Sequence, residues 1–301
     1  MTDGQSAASP AETPDDAGSP VWVKSERQLR REAELRGRAR RSMSVATAST
    51  LVVVVTLVVV ISRSPGWPRV QELFFNPEEF AHALPDVLRG FLLNIKIFLV
   101  AEAFILVVGL LVALVRGLRA PVFFPLRALA VLYTDVFRGI PTILLIYLVG
   151  FGIPALQLQG TPSDPVTLGI IALVLSYGAY VAEVFRAGIE SVHPSQRAAA
   201  RSLALSHGQT MRYVVLPQAV RRVVPPLLND FISLQKDSAL VSVLGPLEAL
   251  RQAQIHVASD FNYTPYLVAA LLFIGLTVPM ARLTDHLAAR VARRQAGGGA
   301  A

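Results

Sequence analysis

Residues 186–222 read RAGIESVHPSQRAAARSLALSHGQTMRYVVLPQAVRR, a polar, basic and alanine-rich stretch between two hydrophobic segments. The consecutive alanines Ala198–Ala200 favour a helix, and their small side chains let another protein approach closely. Pro194 suits the first turn of such a helix, because its missing N–H is not needed there. We therefore expect two short helices, 195–206 and 209–215, that lie on one side of a membrane and form a binding surface for a cytoplasmic partner.

The composition places the chain among membrane proteins. Of its 301 residues, 53% are hydrophobic and 16% are charged, whereas soluble domains carry about 25% charged residues. The chain has no cysteine, which excludes disulfides and thiolate-bound metals. Residues 1–20 are polar and lack periodicity, and we expect them to be disordered. The first apolar run begins only near Ser44, so we interpret it as a retained helix and not as a cleaved signal peptide.

Six segments are candidate membrane spans, since a spanning helix needs roughly 20 mostly apolar residues. These segments are approximately 44–62, 90–115, 139–156, 166–185, 223–245 and 265–283. The fifth is the weakest, because it contains Asn229, Asp230, Lys236 and Asp237. The predicted fold class is all-α, a polytopic membrane bundle of six transmembrane helices.

The distribution of basic residues sets the orientation of these spans. With a cytoplasmic N-terminus, the inside segments hold 22 of the 28 lysines and arginines and the outside segments hold only four. This is the bias of the positive-inside rule, and removal of the fifth span would weaken it. We therefore expect both termini in the cytoplasm, and we attribute the net charge of +7 to topology and not to nucleic-acid binding.

These assignments divide the chain into consecutive parts. Phe74, Phe75, Phe80 and Leu84 have roughly helical spacing, which predicts an interfacial helix in the external segment between the first two spans. The parts are a disordered and basic cytoplasmic region at 1–43, an additional transmembrane helix at 44–62, the external segment at 63–87, the main membrane domain at 88–292 with its cytoplasmic loop at 186–222, and a flexible cytoplasmic tail at 293–301.

Ionisable side chains inside a span are costly and indicate function by default. In the fifth span, Asn229, Ser233 and Lys236 share one helical face, and Asp237 flanks it. These residues either line a water-filled translocation path or hold the bundle together by pairing between helices. Glu102 in the second span binds a substrate ammonium group, pairs with Lys236, or forms a structural hydrogen bond in its protonated form.

Another group of polar residues is expected to be structural. Glu183 and Arg186 are three residues apart at the cytoplasmic end of the fourth span, so they can form an ion pair that fixes the start of the loop. Arg138 precedes Gly139 and Pro141, which permit a kink or a helix start at the third span. Arg138 itself is expected to be an anchor at the headgroups or an inner-gate residue.

The loop and three further stretches resemble the permease subunits of ATP-binding cassette (ABC) importers, most closely the importers of polar amino acids. The family pattern aligns with the loop at Ala198–Ala200, Ala204, Val214 and Leu216–Pro217. The other stretches are Phe137–Pro141, Ala179–Glu183 with Phe185–Ile189, and Leu216–Ala219 through Lys236–Ser238, and the resemblance covers approximately residues 88–292. Two positions depart from the pattern, since Ala198 replaces the family's Glu and Ala204 replaces its Gly.

The resemblance implies a permease that works with separate partners. These are a dimer of ABC ATPase subunits, a second permease that is identical or paralogous, an extracytoplasmic substrate-binding protein and the bilayer of a bacterial cell membrane. ATP and magnesium are expected on the ATPase, because this chain has no G-x-x-x-x-G-K-[ST] loop. The chain itself is expected to hold no cofactor, metal or catalytic site and not to be an enzyme. Within the polar amino acids, we expect glutamate or glutamine.

The same resemblance makes the loop the coupling element. The ATPase would grip the helix near residues 195–206, and Pro217 would have a structural role at the end of the loop. The expected contact residues are Ser195, Gln196, Ala198, Ala199, Ala200, Ser202, Leu203, Ala204 and Leu205. Loss of the family's Glu at Ala198 removes one polar contact, and loss of its Gly at Ala204 stiffens the bend.

Two other functions compete with this interpretation. An ion-coupled secondary amino acid transporter would explain the intramembrane carboxylates, but it predicts inverted repeats that the sequence lacks, and it leaves the loop unexplained. A membrane enzyme would need a nucleophile with its base or a metal cluster. The five histidines are scattered, and the sequence has no H-E-x-x-H or G-x-S-x-G motif.

Overall fold

The computed structural model describes residues 12–14, 20–22, 25–118 and 120–297. Its α-helices are α1 (Glu26–Ser62), α2 (Trp67–Phe74), α3 (Pro77–Arg116), α4 (Phe124–Gly139), α5 (Thr142–Ala155), α6 (Pro165–Glu190), α7 (Pro194–Ser202), α8 (His207–Thr210), α9 (Leu216–Asp237), α10 (Ala249–Asp260) and α11 (Thr264–Gly297). Short 3₁₀ helices cover Pro121–Phe123 and Ser238–Leu244, and a π-helical turn covers Met211–Val215. The predicted all-α class is confirmed, with one small exception at the N-terminus.

That exception is a pair of three-residue strands. Strand β1 (Glu12–Pro14) pairs antiparallel with β2 (Pro20–Trp22). The prediction of disorder over residues 1–20 otherwise falls on residues outside the described ones, as does the end of the predicted tail, from residue 298.

The chain divides into two compact units, Met1–Arg69 and Val70–Ala301. In the first unit, α1 runs without a break from the basic segment into the apolar one. It begins with a capping box, in which Gln28 N donates to Ser25 Oγ (3.3 Å) and Ser25 N donates to Gln28 Oε1 (3.1 Å). Its Ser42–Ser62 part is long and apolar enough to cross a membrane, and none of it is buried.

Four helical stretches of the described chain have the length and composition of membrane spans. They are Ser42–Ser62, Trp67–Arg116, Pro165–Glu190 and Thr264–Arg290. The second and fourth of these extend beyond the predicted ranges 90–115 and 265–283. The second includes α2 and the start of α3, and the fourth follows α11 past its apolar part.

The predicted third span, 139–156, is one half of a broken pair. Helices α4 and α5 meet at 107°, and they make a fifth span if they are counted together. The break lies at Ile140, whose backbone is extended (φ −94°, ψ 128°), as expected for a residue before a proline. Residues 124–138, which lie between the predicted second and third spans, form α4.

The predicted fifth span, 223–245, does not have the composition of a membrane span by itself. Its helix α9 contains Pro225 and Pro226 and ends at Asp237, after which the chain continues as the 3₁₀ helix Ser238–Leu244. Charges and prolines lower the hydropathy of α9, yet both segments pack against α6. Its place in the bundle therefore comes from tertiary contacts and not from hydropathy.

Helix α6 lies at the centre of the second unit, with α3, α5 and α9 packed around it. Glycines permit these close approaches, as in other membrane bundles. A Cβ atom on Gly109 of α3 would lie 2.6 Å from Val181 Cγ1, and one on Gly188 would collide with Val223 of α9. The core that results is apolar and includes Ile97, Ile105, Leu173 and Leu234.

The contacts also fix the direction in which each helix runs. Helix α3 is parallel to α6, because Gly109 contacts Val181 and Arg116 contacts Glu183 further along both helices. Helix α11 is parallel to α3, because the N–H of Asn76 donates to Thr264 Oγ1 (3.1 Å) and the Phe91 and Phe273 rings lie 5.1 Å apart.

The segment 216–244 runs the opposite way along α6. Val223 contacts Gly188 near the end of α6, Asp237 accepts a hydrogen bond from Tyr177 at its middle, and Val241 contacts Gly169 near its start. This segment therefore returns the chain from the C-terminal end of α6 to the N-terminal end.

Candidate functional site

The loop between α6 and α9, residues 191–215, is fixed to both helices by arginines. Arg197 donates from Nη2 to the carbonyl of Ile189 (2.6 Å), and Arg222 donates to the carbonyl of Ser191. Below the loop, Val192, Val215 and Ala219 form a small apolar cluster. The loop is thus a folded element held in one place.

Helix α7 begins with a histidine cap. The N–H of Ser195 donates to Nδ1 of His193 (3.2 Å), and Pro194 occupies the first turn. The helix ends at Ser202, four residues before the predicted end at 206. The prediction was too long because it treated the alanine-rich run as continuous helix.

Most of the predicted contact residues lie on the open surface of this loop. Ala200 is the buried member, at 2% exposure, so it supports α7 from below, and Leu205 is half-buried. Leu203, at 76% exposure, projects from the end of the helix. The exposed residues are Ser195, Gln196, Ala198, Ala199, Ser202, Leu203 and Ala204.

The bend after α7 depends on Ala204, whose φ is +57°. Leu205 N donates to the carbonyl of Ala200 (3.2 Å) and Ala204 N to that of Arg201 (2.9 Å), a Schellman-type end in which the left-handed position is usually glycine. A residue with a Cβ pays roughly 1–2 kcal/mol there. Replacement of the family's Gly was visible in the sequence, but the backbone strain was not.

The second half of the loop starts with another capping box. Gln209 N donates to Ser206 Oγ (3.2 Å), and Ser206 N donates to Gln209 Oε1 (2.8 Å). From there the chain continues helically through the π turn into α9, with Pro217 in the first turn of α9. The predicted end of this helix before Leu216 was therefore wrong, since a proline in a first turn does not interrupt a helix.

An ionic cluster lies immediately before the loop. Glu183 accepts from Arg186 on the same helix and from Arg116 Nη1 of α3 (2.8 Å), and Arg186 also contacts Glu190. Arg116 donates in addition to Thr134 Oγ1 of α4 (3.1 Å). The spacing of Glu183 and Arg186 predicted their pairing. No local pattern predicted the contact with Arg116, because Arg116 and Glu183 are 67 positions apart.

The break between α4 and α5 is also held by α6. Tyr180 donates from its hydroxyl to the carbonyl of Arg138 (3.1 Å), and the Arg138 guanidinium lies 5.7 Å from the Tyr180 ring centroid. Thr142 Oγ1 lies 3.0 Å from Ser176 Oγ. A Cβ atom at Gly139 would have open space around it, and Pro141 stands immediately before α5 without a capping side-chain hydrogen bond.

The polar residues of α9 point in different directions. Asp237 accepts from the Tyr177 hydroxyl (2.8 Å), and the buried Gln235 accepts from Thr277 Oγ1 of α11 (2.7 Å). Asn229 and Lys236 are exposed, and Ser233 is half-buried. Asp237 and Lys236 are adjacent in sequence and therefore diverge by about 100° around the helix.

Glu102 does not pair with Lys236 in the described part of the chain, so this alternative was wrong. Glu102 lies one turn after Phe98 on α3, and the Phe98 ring is 4.6 Å from that of Phe231, the neighbour of Asp230 on α9. Asp230 Oδ2 is buried without a hydrogen-bond partner among the described residues. Lys236 follows Asp230 by six positions, which places the two side chains about 120° apart around α9. The structure therefore brings two acidic groups together between α3 and α9.

Two polar groups at the opposite end of the bundle were not predicted as a unit. Glu248 is fully buried and accepts from Asn94 Nδ2 (2.9 Å) and from Arg251 N (2.6 Å), and Asn94 Oδ1 accepts from Ala249 N (3.0 Å). A Cβ on Gly90 would lie 2.5 Å from the Glu248 backbone. This network attaches α10 to α3, and a separation of 154 residues hid it from sequence patterns.

Asp164 caps α6 at the same end. It accepts the hydroxyl (2.7 Å) and the N–H (2.8 Å) of Thr167. These hydrogen bonds lower the pKa of the Asp164 carboxyl below its ordinary value, and the charge of Lys96 adds to the effect.

Comparison with known proteins identifies the fold and the kind of transport. Residues 105–293 match the family described as the binding-protein-dependent transport system inner membrane component. The chain is 35% identical over 197 residues to the arginine transport system permease protein of Bacillus subtilis (strain 168), a match that covers 65% of this chain and 87% of that protein. It is 34% identical over 203 residues to the probable glutamine ABC transporter permease protein of the same organism, covering 67% and 91%.

Solved structures agree with the sequence relatives. The crystal structure of an amino acid ABC transporter with histidines superposes with a TM-score of 0.63 at 34% identity, covering 68% of this chain and 94% of that one. A methionine ABC transporter in inward facing conformations superposes with a TM-score of 0.56 at 20% identity, covering 68% and 96%, and shows the shared fold alone.

Proposed function

The chain belongs to the family of binding-protein-dependent transport system inner membrane components, and from this premise we propose that it is the permease subunit of an ATP-driven ABC importer of polar amino acids. Relatives named for arginine and glutamine transport support the substrate class. We propose glutamine or glutamate within it, with arginine as the competing candidate. Uptake into a bacterial cell across the cell membrane is the expected direction.

The observation that carries this proposal is the folded loop between α6 and α9. A helix of small exposed residues is held rigidly by Arg197 and Arg222 at the end of the central helix α6. Force applied to α7 is therefore transmitted to α6 and α9 and is not absorbed by a mobile connection. A separate dimer of ABC ATPase subunits would bind ATP and magnesium and would act on this surface, so the chain itself needs no enzymatic activity.

The helix directions support six membrane crossings. Helices α3, α6 and α11 run parallel, so the chain must return across the membrane once between each consecutive pair. The broken pair α4–α5 makes the first return, and the segment 216–244 makes the second. With α1 as a further crossing, both termini and the α6–α9 loop lie on one side, which the positive-inside rule identifies as the cytoplasm.

A second permease and an extracytoplasmic binding protein complete the proposed assembly. Asn229 and Lys236 are exposed on α9, and we propose that they face the path at the junction with the second permease, which is identical or paralogous. Glu102, Ser233 and Asp237 would line the path within this chain. The ion-coupled alternative gains no specific support, because it gives the anchored loop no role.

The test is co-purification from the native host in mild detergent. An ABC ATPase is expected to purify with the tagged chain, and Ala199→Trp is expected to release it, since a large ring on the exposed face of α7 blocks close approach. Ala200 is unsuitable, because it is buried and its replacement would disturb the loop itself. Ala258→Trp, an exposed alanine on α10, is the matched control and should retain the ATPase. Recovery of the chain alone, or equal recovery with both variants, would refute the proposed coupling surface.

A further inference from the structure

The charged residues of helix α1 all lie in its N-terminal half, directly before its apolar half. Residues 26–41 contain seven arginines and three glutamates, whereas 42–62 contain no charged residue. The four arginines nearest the apolar part, Arg36, Arg38, Arg40 and Arg41, have no acidic residue among them. This segment precedes residue 105, where the family match begins, so the family relationship does not account for it.

The helix is continuous from Glu26 to Ser62, so distances along its axis follow from the rise per residue. At 1.5 Å per residue, the four proximal arginines lie within roughly 9 Å of Ser42 along the axis. This is about the Debye length at physiological ionic strength. Arg27, Arg30 and Arg31 lie roughly 16–23 Å from Ser42, where an exposed charge is largely screened from the membrane surface.

We propose that the proximal arginines form a binding surface for the anionic phospholipid headgroups of the cytoplasmic leaflet. Guanidinium groups bind phosphate oxygens in a bidentate manner, and basic clusters beside a span are attracted to anionic lipid. The apolar part of α1 is unburied within its own unit, and in a bilayer the residues that directly precede it in the helix would be nearest the headgroups. The proposal rests on the cytoplasmic N-terminus proposed above. An acidic protein surface and a nucleic acid are the occupants that the test must distinguish from lipid.

The experiment uses the natural absence of cysteine. Ser42→Cys in the full chain gives a single site for a fluorophore at the basic end of the span, and Ser62→Cys gives the matched site at the other end. Each labelled protein is reconstituted into phosphatidylcholine vesicles that contain a small fraction of spin-labelled phosphatidylglycerol or spin-labelled phosphatidylcholine. The ratio of quenching by the two lipids reports local lipid preference.

At low salt, phosphatidylglycerol should quench the probe at position 42 at least about threefold better than phosphatidylcholine, since each basic residue near the surface contributes roughly fivefold in affinity. The ratio should fall to about one in 1 M salt and in the quadruple variant R36Q/R38Q/R40Q/R41Q. At position 42, the preference for phosphatidylglycerol should persist in the triple variant R27Q/R30Q/R31Q and in the variant with all four proximal arginines replaced by lysine. For the probe at position 62, the quenching ratio should be about one in every variant.

Three results would overturn the proposal. They are a ratio near one for the unmodified segment at low salt, an equal loss in the proximal and distal variants, and an unchanged ratio in the proximal variant together with loss of the ATPase or of bound nucleic acid. Protease access to an N-terminal tag in oriented vesicles checks that each variant keeps its topology. A tag on the outer side of the unmodified chain would refute the proposed orientation, which separates that failure from a failure of lipid binding.

Discussion

Ala204 shows how a single side chain sets the shape of the α6–α9 loop. Its left-handed backbone closes α7 through the bond from Leu205 N to Ala200, although a Cβ there is unfavourable. The loop is held by its surroundings, the Arg197 and Arg222 contacts and the cluster beneath. The backbone at this bend is therefore stiff and strained, and a glycine at position 204 would relieve the strain.

Ala204→Gly is expected to strengthen the end of α7 by about 1 kcal/mol, because the left-handed strain is relieved. Hydrogen exchange at the amide of Leu205, measured by mass spectrometry, should slow by roughly fivefold. Ala198→Gly is the control, because glycine within α7 costs about 1 kcal/mol of helix propensity and should accelerate exchange. Faster exchange at Leu205 in Ala204→Gly would show that the strain is absent.

Glu183 joins α6 to α3, whereas Glu190 makes only a surface pair. The Glu183 carboxylate bonds Arg116 and Arg186, and the Glu190 side chain is 62% exposed. Glu183→Gln is expected to lower the free energy of unfolding by about 1–3 kcal/mol, since Arg116 is left largely unpaired. Glu190→Gln should change it by less than about 0.5 kcal/mol. Thermal unfolding in detergent compares the two, and equal shifts would contradict the cluster's role.

At the scale of elements, hydropathy and motif spacing predicted most helices. They were less informative for segments whose structure is determined by tertiary contacts. The segment between the predicted second and third spans was not assigned to the bundle, yet it folds as α4, which Tyr133 and Thr134 attach to Leu175 and Arg116. Segment 223–245 was the weakest predicted span by hydropathy and was retained because of the charge distribution, and it packs along α6. The Asn94–Glu248 network and the Glu102–Asp230 approach join residues more than 100 positions apart, and no local pattern contains such information.

The packing of α9 on α6 gives a direct test at this scale. Gly188→Ala would place a methyl group against Val223, which should separate the helices and cost about 1–3 kcal/mol. Gly152→Ala in α5 has open space around its Cβ and should be neutral or slightly stabilising, since alanine favours a helix. Thermal unfolding of both variants in the same detergent makes the comparison. An unchanged midpoint for Gly188→Ala would contradict the close approach of the two helices.

The proposal that segment 216–244 crosses the membrane can be tested by labelling single cysteines on either side of it. In the cysteine-free chain, Leu203→Cys and Leu247→Cys place single thiols at exposed positions, 76% and 54% accessible, on either side of this segment. An impermeant maleimide added outside intact cells should label only Leu247→Cys, and in inverted vesicles it should label only Leu203→Cys. Labelling of both from one side would mean that the segment does not cross.

At the scale of the molecule, the second unit is a bundle around α6 with an apolar core, a few buried polar groups and a folded loop at one end. The fold, the family and the transport class could be predicted from the sequence, because the motifs around residues 137–141, 179–189 and 198–217 mark the turns and the loop. Which polar residues face one another could not, because that depends on helix rotation. Asp230 and Lys236, for example, lie on different sides of α9, although both belong to the same predicted span.

The most direct test of the central claim is uptake into proteoliposomes that contain the complete complex, supplied with its binding protein outside and ATP inside. Radiolabelled glutamine, glutamate and arginine are compared as substrates. We expect accumulation of at least one of them that requires ATP, is abolished by Ala199→Trp and is retained by Ala258→Trp. Accumulation that is driven by an ion gradient without ATP, and that Ala199→Trp leaves unchanged, would contradict the account.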